Sequence, residues 1–207
     1  MNTNALSTLG AGFSNEALGS QAVFRAVLHA LSHPGRWTAL EHDAEVPAAC
    51  QPASAAVLLA LVDADCTVWL SPRLAASPAA SWLRFHTGCE VVEAPAQARF
   101  VWVAAGDALP PLQGLAQGSD TYPDQSATCV VEVAQPAPDT PAAGWRLSGP
   151  GIRETQDLQA EGLPPDFADQ WAANHAAFPR GVDLVLATGT HIAGLPRSTR
   201  LQTLLEN

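Results

Sequence analysis

The sequence predicts an α/β fold of three layers, α/β/α, built around a mixed β-sheet. Three observations predict it. Helical and strand patterns alternate along the chain, but irregularly. The last third carries a hairpin signal, Val182–Ala187 and His191–Leu195 about Thr188-Gly189, which adds antiparallel pairing to a sheet otherwise linked by crossovers. Hydrophobic residues make up 47% of the 207 residues, enough for one sizeable core and too many for a disordered chain. Residues 1–14 are rich in Gly, Ser and Asn and read as a flexible arm; residues 15–207 read as a single domain. The chain shows no internal repeat and no coiled-coil heptads.

The elements follow in order. Ser14 or Asn15 caps a first helix, with Glu16 placed to complement its dipole. Leu18, Val23, Phe24, Val27, Leu28 and Leu31 give it an apolar stripe. The helix stops at His33-Pro34-Gly35, because the residue before Pro avoids the α region and Gly offers a turn. Trp37–Leu40 is a short strand. Pro52–Val62 is a buried helix, and Thr67–Leu70 a strand. Ser71-Pro72 opens a helical region that ends near Arg84–Gly88. Glu90–Glu93 and Arg99–Val103 are strands. Residues 106–127 form a long loop with a short helix at Leu109–Leu115. Ala127–Val133 is a strand, residues 135–144 a tip, and Trp145–Ser148 a strand running into Gly149-Pro150-Gly151. Asp157–Gly162 reads as an acidic loop. Pro165 starts a helix that Phe178-Pro179 ends.

Composition narrows the chemistry. Twenty acidic residues against ten basic give a net charge of -10, the wrong sign for a general nucleic-acid backbone binder. All ten basic residues are arginine. Without lysine there is no Schiff base for pyridoxal phosphate and no Walker-type phosphate contact. Anions must be met by Arg, His or backbone N–H groups. Cys50, Cys66, Cys89 and Cys129 are scattered, with neither zinc-ligand spacing nor an iron–sulfur run, so neither a metal nor a cofactor is expected. No window of about 20 apolar residues suits a membrane span, and the first residues lack the pattern of a secretory leader. A cytoplasmic protein with reduced thiols is the expectation.

Four segments combine Arg or His with Gly and Pro. Ser32-His33-Pro34-Gly35 follows Arg25 by seven residues. Arg84-Phe85-His86-Thr87-Gly88 offers a guanidinium and an imidazole either to an anion or, as the spacing favours, to the last carbonyls of a helix. Leu147-Ser148-Gly149-Pro150-Gly151-Ile152 is a poor phosphate nest, because Pro150 removes a donor, and a good rigid turn. Phe178-Pro179-Arg180-Gly181-Val182-Asp183 leads on to Leu195-Pro196-Arg197-Ser198-Thr199. Asp183 stands in an apolar strand and needs a partner; Arg197 lies on the hairpin's other arm. His175 falls on a helix, where packing or surface is its expected setting. Neither G-x-S-x-G nor H-E-x-x-H occurs, so no catalytic residue is assigned.

In this order and spacing, from about residue 15 to about residue 201, these segments and Tyr122-Pro123-Asp124 resemble the PhnH family, the H subunits of the bacterial carbon–phosphorus lyase system. Leu31 and Ser198 depart mildly, where family members often carry Met and Thr. The resemblance implies a role in alkylphosphonate catabolism, whose first step transfers a phosphonate onto the ribose of ATP with loss of adenine. It implies the G, I and J subunits as partners, a homodimer in isolation, and a fold like that of pyridoxal-phosphate-dependent transferases without their cofactor site. Two roles are then open. The chain docks partners without catalysing by itself. Alternatively, Arg84, His86 or Arg197 holds phosphate or phosphonate oxygens at the transferase site. Arg25, Pro34, Gly35, Gly149, Gly151 and Asp183 are expected to be structural. The negative charge further suggests a partner-facing patch that is apolar with an acidic rim.

Overall fold

A computed structural model describes residues 10–134 and 144–204. All but the last residue of the expected tip at 135–144, and most of the expected arm at 1–14, lie outside them; Gly144 opens a strand. The elements run α1 (Glu16–Ser32), β1 (Thr38–Ala39), α2 (Pro52–Leu61), β2 (Thr67–Leu70), α3 (Pro72–Ala75), α4 (Ala79–Thr87), β3 (Glu90–Val91), β4 (Phe100–Val103), β5 (Thr128–Glu132), β6 (Gly144–Ser148), β7 (Gln156–Gln159), α5 (Phe167–Ala176), β8 (Asp183–Ala187), β9 (His191–Leu195) and β10 (Arg200–Thr203). Short 3-10 turns stand at Pro95–Gln97, Leu112–Gly114 and Pro123–Gln125.

Seven strands form one mixed sheet in the order β1-β9-β8-β5-β4-β2-β3. Strands β3, β2, β4, β5 and β8 are parallel neighbours. β9 turns back antiparallel on β8, and β1 antiparallel on β9. The expected hairpin and mixed sheet are both present.

Alternation along the central strands divides the core into two faces. Val68, Trp102, Val130 and Val185 pack under α1, α2 and α4. Val101, Val103, Cys129, Val131, Leu184 and Leu186 face the other way. That second face is covered by α5 and by a three-stranded antiparallel sheet, β10-β6-β7, rather than by helices alone. The expected α/β/α layering therefore holds on one face and is part β on the other. The cause is β7 (Gln156–Gln159), whose last three residues fall in the expected acidic loop, and β10, a short edge strand with no buried residue to mark it. Arg146 stands opposite Asp157 across β6–β7 and binds it through two hydrogen bonds of 2.8 and 3.0 Å, so the acidic residue has a cross-strand partner.

α1 also differs from its expected stripe. Asn15 caps it by accepting from the Leu18 N–H, and Val23, Val27 and Ala30 are buried. Leu18, Phe24 and Leu28 are exposed by 65%, 47% and 52%. The tight fit of α1 on the sheet selects small side chains: Gly194 of β9 lies against the Ala30 carbonyl, where a side chain would clash. Three tryptophans, Trp82, Trp102 and Trp171, are fully buried, and each indole N–H has a partner, the Glu45 carbonyl, Ser54 Oγ and the Thr199 carbonyl respectively. None of the helices among the described residues is long and apolar enough to cross a membrane.

Candidate functional site

The hairpin places Asp183, the first residue of β8, beside Arg197, two residues beyond β9. Arg197 donates Nε and Nη2 to the Asp183 carboxylate, and its backbone N–H adds a bond of 2.7 Å to Oδ1. Nη1 donates to the Pro123 carbonyl at 2.8 Å and to the Pro179 carbonyl at 3.4 Å, and Nη2 also donates to Ser126 Oγ. A guanidinium has five N–H donors, and all five are engaged within the chain. Asp183 thus has the expected partner. Arg197, expected as an anion contact, is instead a clamp that ties β8, the Pro123 turn and the Pro179 turn together.

α5 braces this clamp from beneath. Asn174 accepts from the Val182 N–H at 2.8 Å and donates to its carbonyl at 3.0 Å. His175 Nδ1 lies 3.0 Å from the Arg197 carbonyl, a contact that needs a proton on Nδ1. Around the clamp, Pro123, Phe178, Pro179 and Pro196 line a shallow apolar groove of about 350 Å³. Phe178 stands exposed there, and Tyr122, next to Pro123 in the chain, is exposed as well.

The two glycine turns meet each other. Gly151, at φ +82°, fits against the Ser32 carbonyl and the Pro34 ring, and Gly35, at φ +78°, against Leu147. Gly35 N–H donates to the Gly194 carbonyl at 3.0 Å. Gly149 leaves its nearest neighbour, the Ser198 carbonyl, only 3.0 Å from where a Cβ would stand. Gly35 and Gly151 thus bring the end of α1 against the small sheet, with Pro34 between them, and Gly149 packs on the residues that lead into β10. Arg25 is exposed on α1.

Arg84 and His86 occupy the last turn of α4, which Gly88 closes at φ +74°. Arg84 points outward and is exposed. His86 is half-buried, with Nε2 2.9 Å from the Gly10 carbonyl and its ring edge-on to Trp82 and Phe85. It borders a cavity of about 210 Å³ that also takes in Phe13, Glu16 and Asp63, whose two carboxylates oppose an anion. Ala11 and Phe13, within the expected arm, line this cavity. Ala11 N–H donates to Glu45 Oε2 at 2.9 Å, and Phe13 is buried. β3, next to α4, and β8 are four strands apart in the sheet. At about 4.8 Å per strand that is roughly 19 Å, so Arg84 and His86 do not join Arg197 in one site.

One polar cluster escaped the sequence reading. Glu132, at the end of β5, is buried. Its Oε1 accepts from the Gln51 N–H at 2.9 Å and from Ser54 Oγ at 2.6 Å, and its Oε2 from the Ala105 N–H at 3.2 Å. The signal was present: a carboxylate inside the apolar run Ala127–Val133. Burial, with the Glu132 charge adding to it, pushes the Cys50 thiol up to about 12. Burial, with Asp183 adding to it, raises the Cys129 thiol further. Among the described residues no three His, Cys, Asp or Glu side chains are grouped to hold a metal ion.

Fold and clusters together define a mixed-sheet α/β protein whose polar clusters brace turns and whose outer helix and turns expose apolar side chains. Residues 11–202 match the family described as "Bacterial phosphonate metabolism protein (PhnH)". The chain is 41% identical over 190 residues to the alpha-D-ribose 1-methylphosphonate 5-triphosphate synthase subunit PhnH of Rhizobium meliloti (strain 1021), covering 92% of this chain and 94% of that one. It is 35% identical over 181 residues to a protein of Stutzerimonas stutzeri named as a C-P lyase subunit, HtxG, covering 87% and 85%. The chain belongs to the PhnH family.

Proposed function

We propose that the chain is a subunit of the carbon–phosphorus lyase system and serves alkylphosphonate catabolism by docking other subunits, without catalysing by itself. The observation that carries this reading is the 41% identity along nearly the whole length of a synthase subunit. The outer face of α1 supports the docking role. Leu18, Phe24 and Leu28 are exposed on it. Leu18 borders an open, mainly apolar groove with Glu41 and Asp43 at its side, and Glu16 lies in the same first turn. Arg25 and His29 are also exposed on this helix. An apolar patch with acidic residues at its edge suits a partner with a basic rim. The partners on this reading are the G, I and J subunits, and the transfer of phosphonate onto the ribose of ATP occurs in their assembly. The mixed seven-stranded sheet is in keeping with a scaffold like that of the pyridoxal-phosphate-dependent transferases, here without a lysine.

The second reading gives Arg84 or His86 a direct hold on phosphate oxygens. Arg84 favours it by being exposed with no ion-pair partner among the described residues. The acidic surroundings of His86 and the engagement of Arg197 weigh against it. Co-expression with the G, I and J subunits, followed by size-exclusion chromatography with light scattering, tests the main reading. A homodimer that moves into a stoichiometric larger complex supports it. A homodimer that ignores the partners overturns it. Transfer assays on assembled complexes carrying Arg84→Ala or His86→Ala then separate the two readings: full activity removes the direct role.

A further inference from the structure

Where unengaged positive charge gathers is a sharp question in a chain without lysine. Among the described residues, four of the ten arginines, Arg73, Arg146, Arg180 and Arg197, have carboxylate partners within 4.0 Å. Arg200 faces His175 at 3.4 Å. Of the exposed arginines outside these contacts, Arg36 and Arg153 line one and the same cleft, of about 280 Å³, with Thr155 and Gln156 beside them.

The cleft is held open by rigid backbone. Arg36 follows the Gly35 turn and Arg153 follows the Gly151 turn, and these two turns are pressed together where Gly151 meets the Ser32 carbonyl and Pro34. Ile152 N–H donates to the Gly149 carbonyl at 3.1 Å, and Arg36 N–H to the His33 carbonyl at 3.3 Å. Both guanidinium groups thus start from fixed backbone, which lowers the entropy cost of gripping a small ligand. Two charged forks, a hydroxyl and an amide are the donor set that tetrahedral oxyanions need. Glu154 also lines the cleft. Its charge opposes an anion, so the net pull comes from two positive groups against one negative.

We propose that this cleft is an anion site for a phosphoryl or phosphonyl group, gripped by Arg36 and Arg153. The choice of ligand class rests on the phosphonate reading above; the existence of the site rests on the two arginines. Two polar turns that otherwise look purely structural thereby gain a second use, as the walls of a binding site.

Isothermal titration of the full-length chain with inorganic phosphate, methylphosphonate and ATP, each alone, tests the proposal and separates the possible sources of the anion. The expected result is saturable binding of at least one probe at one site per chain. Arg36→Ala and Arg153→Ala each weaken it tenfold or more, Glu154→Gln strengthens it several-fold, and Arg25→Ala leaves it unchanged. All four side chains are exposed, so circular dichroism should show native folding throughout. Absence of saturable binding by all three probes overturns the proposal, as does binding that ignores both arginine variants. Assembly of the Arg36→Ala, Arg153→Ala double variant with the G, I and J subunits is measured alongside. Failure of the unaltered chain to bind any probe while it still assembles sinks the anion site alone, loss of anion binding by the double variant with assembly intact supports it, and failure of the unaltered chain to assemble sinks the docking reading.

Discussion

Arg197 shows how much a single side chain can organise. The ion pair is largely buried, with Arg197 13% and Asp183 24% exposed. Removing one partner of such a pair leaves the other charge in a poor solvent for it. Arg197→Ala should therefore lower stability by about 3 kcal/mol or more, read as a shift of the urea midpoint at unchanged slope. Arg197→Lys restores charge without the planar fork, and should recover only part of the loss. His42 makes a different prediction, in pH. Its Nδ1 is buried with no hydrogen-bond partner among the described residues, and burial lowers its pKa from 6.5 against the opposing pulls of Asp43 and the Pro52 backbone. The unfolded chain then binds this proton more readily than the native one. Stability contributed by neutral His42 is present above pH 6.5 and is lost as pH falls through its lowered native value. Urea midpoints measured between pH 7.5 and about pH 5 should fall, and His42→Gln should flatten that slope. The carboxylates held low by partners, such as Asp157 beside Arg146, act in a separate window, since their contribution begins to be lost only as pH approaches 3.8.

Helices, strands and their joints account for what could and could not be read from the sequence. α1, α2, β2, β4, β5 and the β8–β9 hairpin were legible because their apolar periods, caps and turn residues all agree. β7 was not, since its exposed residues alternate polar with polar around the single buried Leu158. β10 fails in the same way, with four residues on a sheet edge and none of them buried. The exposed half of α1's stripe misled for another reason: periodicity marks an apolar face without saying whether this chain or another covers it. At the site, the Asp183–Arg197 pair was legible because the hairpin fixed the neighbours. The Arg36–Arg153 cleft was not, because it depends on two turns 115 or more residues apart coming into contact. That contact is testable. Gly151→Ala puts a Cβ against the Ser32 carbonyl at a φ that L-residues resist, and should cost about 2 kcal/mol or more in a thermal or urea unfolding experiment. Gly114→Ala, with nothing near its Cβ, should cost far less.

For the whole molecule, the net charge of -10 sets the terms of association. Docking through an apolar patch edged by Glu16, Glu41 and Asp43 should be steered by basic partners and screened by salt. Raising salt from 0.1 M to 1 M shortens the Debye length from about 10 Å to about 3 Å. The association rate, followed by surface plasmon resonance against the purified partner subunits, should fall over that range while the dissociation rate changes less. Assembly that is indifferent to salt would show that the acidic rim plays no part.

The antiparallel return of β9 has a consequence for how the chain comes off the ribosome. β9 sits between β1 and β8, and it carries the glycine against which α1 is seated. The first helix of the domain therefore has its seat in one of the last strands to be synthesised. At about 5–20 residues per second, translation from residue 32 to residue 195 takes roughly 10–30 s. Throughout that interval Val23, Val27 and Ala30 lack their native cover from β9, and the β8 side of the growing sheet stays unpaired. Nascent chains of this architecture therefore leave that apolar face without its native cover for longer than a protein closed by local contacts does.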